Sequence, residues 1–212
     1  FLYNTLDTIV WMAEAKKTGQ VIEIVRALSS FFRIALSRGK DWISIRQEAE
    51  HVRSYLYIQK IRYRDILDYE IDIDDSLLDG TILKLTLQPL VENALYHGIK
   101  NKRNGGMIKI RARKASEDLV LIEVEDDGVG FTPYKLGKIE EQLNEESDVI
   151  SRTDEGFGLA NVNKRIKLYY GDEYGLSIKS RYLEGTKITV AIPLQKDFQI
   201  ENEEKIHEVT EV

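Results

Sequence analysis

An α/β fold is predicted by two periodicities and by where the glycines fall between them. Apolar residues recur every three or four positions over residues 2–35, 44–64, 82–99 and 158–171. They alternate with polar residues over 66–74, 106–115, 118–126 and 174–194. Glycine pairs stand where one pattern gives way to the next, Gly128 and Gly130 after a strand and Gly156 and Gly158 before a helix.

Taken in order, Leu2, Leu6, Ile9, Val10 and Ala13 form one helical stripe. After Thr18-Gly19 the spacing resumes with Val21, Ile24, Val25, Leu28, Phe31, Phe32 and Ala35, which makes two helices joined by a tight turn. A hairpin cannot bury both stripes alone, so it packs on the rest of the chain or on a second copy. The boundary is expected at Ser37 to Trp42, dividing the chain into 1–40, 41–194 and a charged tail, 195–212, with the composition of a disordered segment. A third helix covers about Ser44 to Arg64, and "ILDYEIDID" alternates as a strand. "ILKLTLQPLVENALYHGI", Ile82 to Ile99, is expected as one helix with Leu83, Leu87, Leu90, Val91 and Ala94 on its apolar face. Two strands follow, "GMIKIRARKA" and "DLVLIEVED". Residues 132–155 are polar, acidic and short of periodic apolar positions, which predicts a long loop with at most one exposed helical turn. "GLANVNKRIKLYYG" is a helix, and the last two strands meet around Glu184-Gly185.

Composition narrows the function classes. With 42% apolar residues in 212, the chain can build a sizeable core. A net charge of -6 lacks the basic excess that would neutralise a phosphate backbone, so direct nucleic-acid binding is not expected. The absence of cysteine removes disulfides and thiolate metal sites and suits a reducing compartment. No apolar stretch approaches the ~18 residues of a membrane span. The chain opens at Phe1 inside an amphipathic pattern and reads as a fragment of something longer.

Three motifs carry chemistry. Pro89, Asn93 and His97 stand at i, i+4 and i+8 on the face opposite the leucines. A lone exposed Asn or His is ordinarily just solvated, yet a carboxamide oxygen is also a suitable hard ligand for Mg²⁺. "VEDDGVGF" ends a strand on Asp126 and Asp127 and then gives up side chains at Gly128 and Gly130; taken alone, Asp127-Gly128 reads equally well as a hairpin turn. "DEGFGLAN" brings Gly156 and Gly158 to a helix start, where free N–H groups await an anion. A dinucleotide-binding reading fails because no strand leads into it and Asn161 occupies the third glycine position.

Together and in this order the motifs resemble the ATPase module shared by histidine kinases, gyrase, MutL and Hsp90, the Bergerat ATP-binding fold: "LQPLVENALYHGI" its N box, "DDGVG" and "GFGLAN" its glycine boxes, "GTKITVAIPL" its terminal hairpin. "FLYNTLDTI" and "YLYIQKIRY" narrow the resemblance to LytS/YesM-type sensor histidine kinases, whose pattern places the phosphoacceptor histidine directly before Phe1. The resemblance implies a two-layer sandwich of helices on a mixed sheet, preceded by a hairpin that forms a four-helix bundle in a homodimer. It implies a kinase that uses ATP and Mg²⁺, passes phosphate to a response regulator, and is the cytoplasmic portion of a cell-membrane protein. It assigns adenine to Asp126 and Thr186, the metal to Asn93, and the phosphates to His97 and to Gly156, Gly158 and Leu159. Gly128 and Gly130 would give nucleotide and lid bare backbone, residues 132–155 being the lid. Asn4 would position water for dephosphorylation. Pro89 stands where related kinases often have a second Asn, and Phe1 stands where the commonest class has an acid, so the general base falls to Glu92 or Asp7. A gyrase-type ATPase and a non-catalytic ATP-binding module are the alternatives.

Overall fold

The computed structural model describes residues 1–36, 41–144 and 157–195. Helices α1 (Leu2–Glu14) and α2 (Thr18–Ala35) form the hairpin. After β1 (Trp42–Ser44) comes α3 (Ile45–Arg62), started by a capping box in which Gln47 N donates to Ser44 Oγ and Ser44 N to Gln47 Oε1. Then follow β2 (Leu67–Ile73), β3 (Thr81–Leu83), α4 (Gln88–Asn93), β4 (Gly106–Lys114), β5 (Leu119–Asp126), α5 (Pro133–Asn144), α6 (Phe157–Tyr170), β6 (Gly175–Arg181) and β7 (Gly185–Pro193).

The main sheet runs β2-β4-β5-β7-β6, with β2 parallel to β4 and the other pairs antiparallel. Alternation gives it two unlike faces. Ile108, Ile110, Val120, Ile122, Val124, Ile188 and Val190 point under the helices and are buried. The other face carries cross-strand ion pairs, Arg111 with Glu125 at 3.0 Å and Lys187 with Glu123 at 3.2 Å. Leu87, Leu90, Val91 and Ile166 complete the two-layer core, and Phe31 and Ile34 of the hairpin join it against Val52 and Tyr55 of α3. The boundary expected at Ser37–Trp42 falls largely on residues 37–40, outside the described residues, as does the tail beyond Gln195.

Three expectations need correction. Ile82–Ile99 is not one helix: Leu83 pairs with Trp42 in a two-stranded sheet, Leu85 turns the chain at φ 59°, and α4 begins only at Gln88. A short apolar run satisfies periods of two and of 3.6 equally, and partner strand β1 decides between them. The helix then widens into a π turn, Ala94–Gly98. Residues 133–144 are not loop but the three-turn helix α5, because Leu136, Ile139 and Leu143 at i, i+3 and i+7 dock on the core. Asn163 secures its end, donating from Nδ2 to Leu143 O at 2.7 Å while its Oδ1 accepts from Leu176 N at 2.7 Å. Residues 145–155 of the expected lid lie outside the described residues. Finally, Asp127-Gly128 makes no hairpin turn; β5 passes from Asp126 through residues 127–132 into α5.

Candidate functional site

The site gathers where the end of β5 meets the π turn after α4. Alternation along β5 turns Asp126 inward, opposite Thr186 of β7, and both are 5% exposed. Asp126 Oδ1 accepts from Gly128 N at 2.8 Å, and no lysine or arginine lies within ion-pair distance of it among the described residues. Burial pushes this carboxyl up to about 7, with the Asp127 charge adding to the shift, while the Gly128 and Thr186 amides and Lys102 oppose it. Asp127 faces the other way: its Oδ1 takes Met107 N at 2.8 Å and its Oδ2 lies 3.3 Å from Lys102 Nζ.

Gly98 closes the π turn directly over Asp126. A Cβ there would collide with the Asp126 carboxylate, and one on Gly128 would collide with Gly98 itself. Only two bare backbones let the turn and the strand end approach this closely. Gly130, at φ 61°, lies against the Arg181 carbonyl, so its missing side chain admits the β6–β7 turn. Ser180 ties that turn to the site: its Oγ accepts from Phe131 N at 2.8 Å, donates to Gly185 O at 2.9 Å and lies 2.9 Å from Thr186 Oγ1.

Asn93 is half-buried at the end of α4 and His97 is exposed on the π turn, while Leu90, Val91 and Ala94 behind them are buried. Gly158 lies in the first turn of α6, with the Pro89 Cβ 3.8 Å from where its own Cβ would sit, so the first turn of α6 faces the first turn of α4. Leu159 is buried, which leaves its backbone amide as its polar contribution. Gly156 lies outside the described residues. The carboxylate-and-threonine floor, the Asn-bearing helix and the α6 start thus line one end of the sheet.

Away from this floor, Glu92 is half-exposed on α4 and its Oε1 accepts from Gln88 Nε2 at 2.9 Å. Asn4 and Asp7 are exposed on α1, Asp7 facing a groove with Trp11, Lys17 and Tyr57. Gly98 and Ser180 escape sequence reasoning. A glycine among helical residues reads as a terminus and a serine in an alternating strand as surface; the packing of the π turn over β5 brings Gly98 to Asp126, and the sheet register brings Ser180 to Thr186 beside it.

The arrangement suits an adenine nucleotide. A buried carboxylate with open lone pairs accepts from an exocyclic amine, helix-start amides donate to phosphate oxygens, and the Asn93 carboxamide oxygen is a hard metal ligand.

Residues 1–67 match the family model described as histidine kinase, and residues 79–196 match that of histidine kinase-, DNA gyrase B-, and HSP90-like ATPases. The chain is 38% identical over 93% of its length to the sensor histidine kinase YesM of Bacillus subtilis, covering 32% of that protein. It is 32% identical over 91% of its length to the sensor histidine kinase BtsS of Escherichia coli K12, covering 31%. The chain therefore spans about a third of these relatives. Among solved structures, the catalytic domain of histidine kinase ThkA superposes with a TM-score of 0.53 at 19% identity, over 73% of this chain and 97% of that one, which is agreement in fold. No described helix is long and apolar enough to cross a membrane. By these matches the chain belongs to the histidine kinase-, DNA gyrase B-, and HSP90-like ATPase family, in its LytS/YesM-type sensor histidine kinase branch.

Proposed function

We propose that this chain is the cytoplasmic phosphotransfer and ATP-binding portion of a membrane-anchored sensor histidine kinase. The observation that carries the reading is Asp126, a buried carboxylate beside Thr186 with no cation pairing it among the described residues. Adenine's amino group fits that acceptor, whereas guanine would set a carbonyl oxygen against it and leave both unpaired. His97 and the amides of Gly158 and Leu159 face the phosphates.

No cluster of three acidic or histidine ligands exists among the described residues, which fits an ion carried by Asn93, phosphate oxygens and water. Magnesium held there supplies neutralisation of the phosphate charge. The chain's own share is positioning. An imidazole nitrogen of a histidine directly preceding Phe1 attacks the γ-phosphorus. The nitrogen–phosphorus bond forms as the bond to the β,γ-bridging oxygen breaks, and ADP leaves with that electron pair. Glu92 takes the imidazole proton. It is favoured over Asp7 because the Phe1 ring packs tilted against Tyr55, centroids 5.3 Å apart, and the Glu92 charge acts on Tyr55, whereas Asp7 faces the groove beside Trp11. The phosphoryl group then passes to an aspartate of a response regulator, and Asn4, one turn into α1, holds the water that hydrolyses that aspartyl phosphate to free aspartate and inorganic phosphate. Exposed Leu2, Leu6, Val10, Ile22 and Val25 give the hairpin an apolar face for the second copy of a homodimer.

Calorimetry tests the pocket. Asp126→Asn is expected to weaken ATP binding by about 1.5–3 kcal/mol, roughly 10- to 150-fold; unchanged affinity removes Asp126 from the site. Asn93→Ala is expected to abolish mainly the magnesium-dependent part of binding, and equal losses with and without metal contradict its role. ATP hydrolysis by the full-length protein without acid-labile, base-stable phosphoprotein would return the gyrase-type ATPase instead.

A further inference from the structure

Three helices meet at one buried imidazole, and the head of a fourth lies one ring away. His51 on α3 is fully buried, its ring stacked on Phe31 of α2 with centroids 4.4 Å apart and planes 17° from parallel. Phe31 in turn lies 4.8 Å from the ring of Phe1, the residue that caps α1. On its far side His51 Nε2 donates to Gln88 Oε1 at 2.7 Å, and Gln88 Nε2 donates to Glu92 Oε1 at 2.9 Å. The carboxylate dictates the direction of this chain. Only the amide nitrogen of Gln88 can face Glu92, so its oxygen faces the imidazole and Nε2 carries the proton. Nδ1 is left as a buried acceptor without a partner among the described residues.

The orphaned Nδ1 costs stability. A leucine beside Phe31 would remove that cost but take the donor from half-buried Gln88 Oε1, so the two offset and stability alone does not account for the imidazole. What leucine lacks is a flat ring to stack on Phe31 and a donor aimed at Gln88. Glu48, three residues earlier on the same face of α3, accepts from Leu85 N at 3.0 Å and Leu87 N at 2.8 Å. It fixes the backbone that leads into α4, while His51 aims the side chains that follow.

We infer that His51 is a positioning residue for phosphotransfer: stacked on Phe31 and hydrogen-bonded to Gln88, it sets where α4, with Glu92 and Asn93, stands relative to the head of α1. The inference rests on the kinase reading above. Both of its contacts are directional, so a shift of the hairpin that moves Phe31 reaches Gln88, and a displacement of about 1 Å at a reacting centre is enough to change a rate about 100-fold.

The test uses the full-length protein and three measurements: autophosphorylation rate at saturating Mg-ATP, KM for ATP, and thermal midpoint. His51→Leu is expected to lower the saturated rate roughly 10- to 100-fold, with KM within about twofold of wild type and the midpoint unchanged or raised. His51→Gln, whose amide still donates toward Gln88, is expected to recover most of the rate. A wild-type rate in His51→Leu overturns the inference. So does a loss of rate that follows a fall in midpoint, or a His51→Gln variant no better than His51→Leu. Absence of phosphohistidine in the wild-type protein would instead overturn the kinase reading, and the positioning role with it.

Discussion

Glu48 on α3 and Asp126 at the end of β5 are both buried carboxylates, 0% and 5% exposed, and burial raises both above the ordinary carboxyl range. They differ in what their oxygens hold. Glu48 commits Oε1 to Leu87 N and Oε2 to Leu85 N, so it acts as a cap inside the fold. Asp126 accepts from Gly128 N on Oδ1, with the Thr186 amide also favouring its charge, and sits beside a threonine hydroxyl already held by Ser180. Burial alone therefore does not mark a ligand site in this molecule; lone pairs left open do.

The two carboxylates differ most in what they contribute to folding. Glu48→Leu strands two backbone donors and is expected to cost roughly 2–5 kcal/mol in urea denaturation, while Asp126→Asn is expected to leave stability unchanged or higher. Equal destabilisation by the two would mean that Asp126 is structural as well.

The next effect is on pH. The Asp126 carboxyl moves from the usual 3.8 to about 7 in the fold, so between these values the folded chain holds a proton that the unfolded chain has released. Its contribution is complete below about pH 4, is lost as pH rises through about 7, and is constant above, for a change of at most about 4 kcal/mol. Glu48 titrates in the same direction, so the difference between wild type and Asp126→Asn isolates Asp126. That difference should change between pH 4 and 7, and parallel curves would deny the shift.

Ser180, which holds the threonine beside Asp126, has a smaller effect. Ser180→Ala removes the hydroxyl joining Phe131, Gly185 and Thr186 and is expected to cost about 1 kcal/mol, with a comparable loss of nucleotide affinity. Lost stability without lost affinity would show that Thr186 needs no such support.

The helices at 2–14, 18–35, 45–62 and 157–170 and all five strands of the main sheet were legible because each repeats its period over enough residues. β3 and α5 were not. Three residues cannot display a period, and β3 exists only because Trp42–Ser44 pairs with it. In α5, three apolar positions among polar ones define a helix face only once a core is there to receive Leu136, Ile139 and Leu143. The site was legible to the same degree. Asp126, Thr186, Asn93 and His97 sit in contiguous motifs, whereas Gly98 and Ser180 join through contacts between segments distant along the chain.

The sequence by itself determined the elements with sustained periodicity, the glycine-flanked acid that ends β5 and the family resemblance, because each is written in consecutive residues. The tertiary structure alone decided that Asp126 keeps its lone pairs open while Glu48 spends its own. It also decided that an unremarkable histidine on α3 joins α2 to α4. Burial and hydrogen-bond satisfaction are properties of what packs around a side chain, and those neighbours come from segments that only the folded chain brings together.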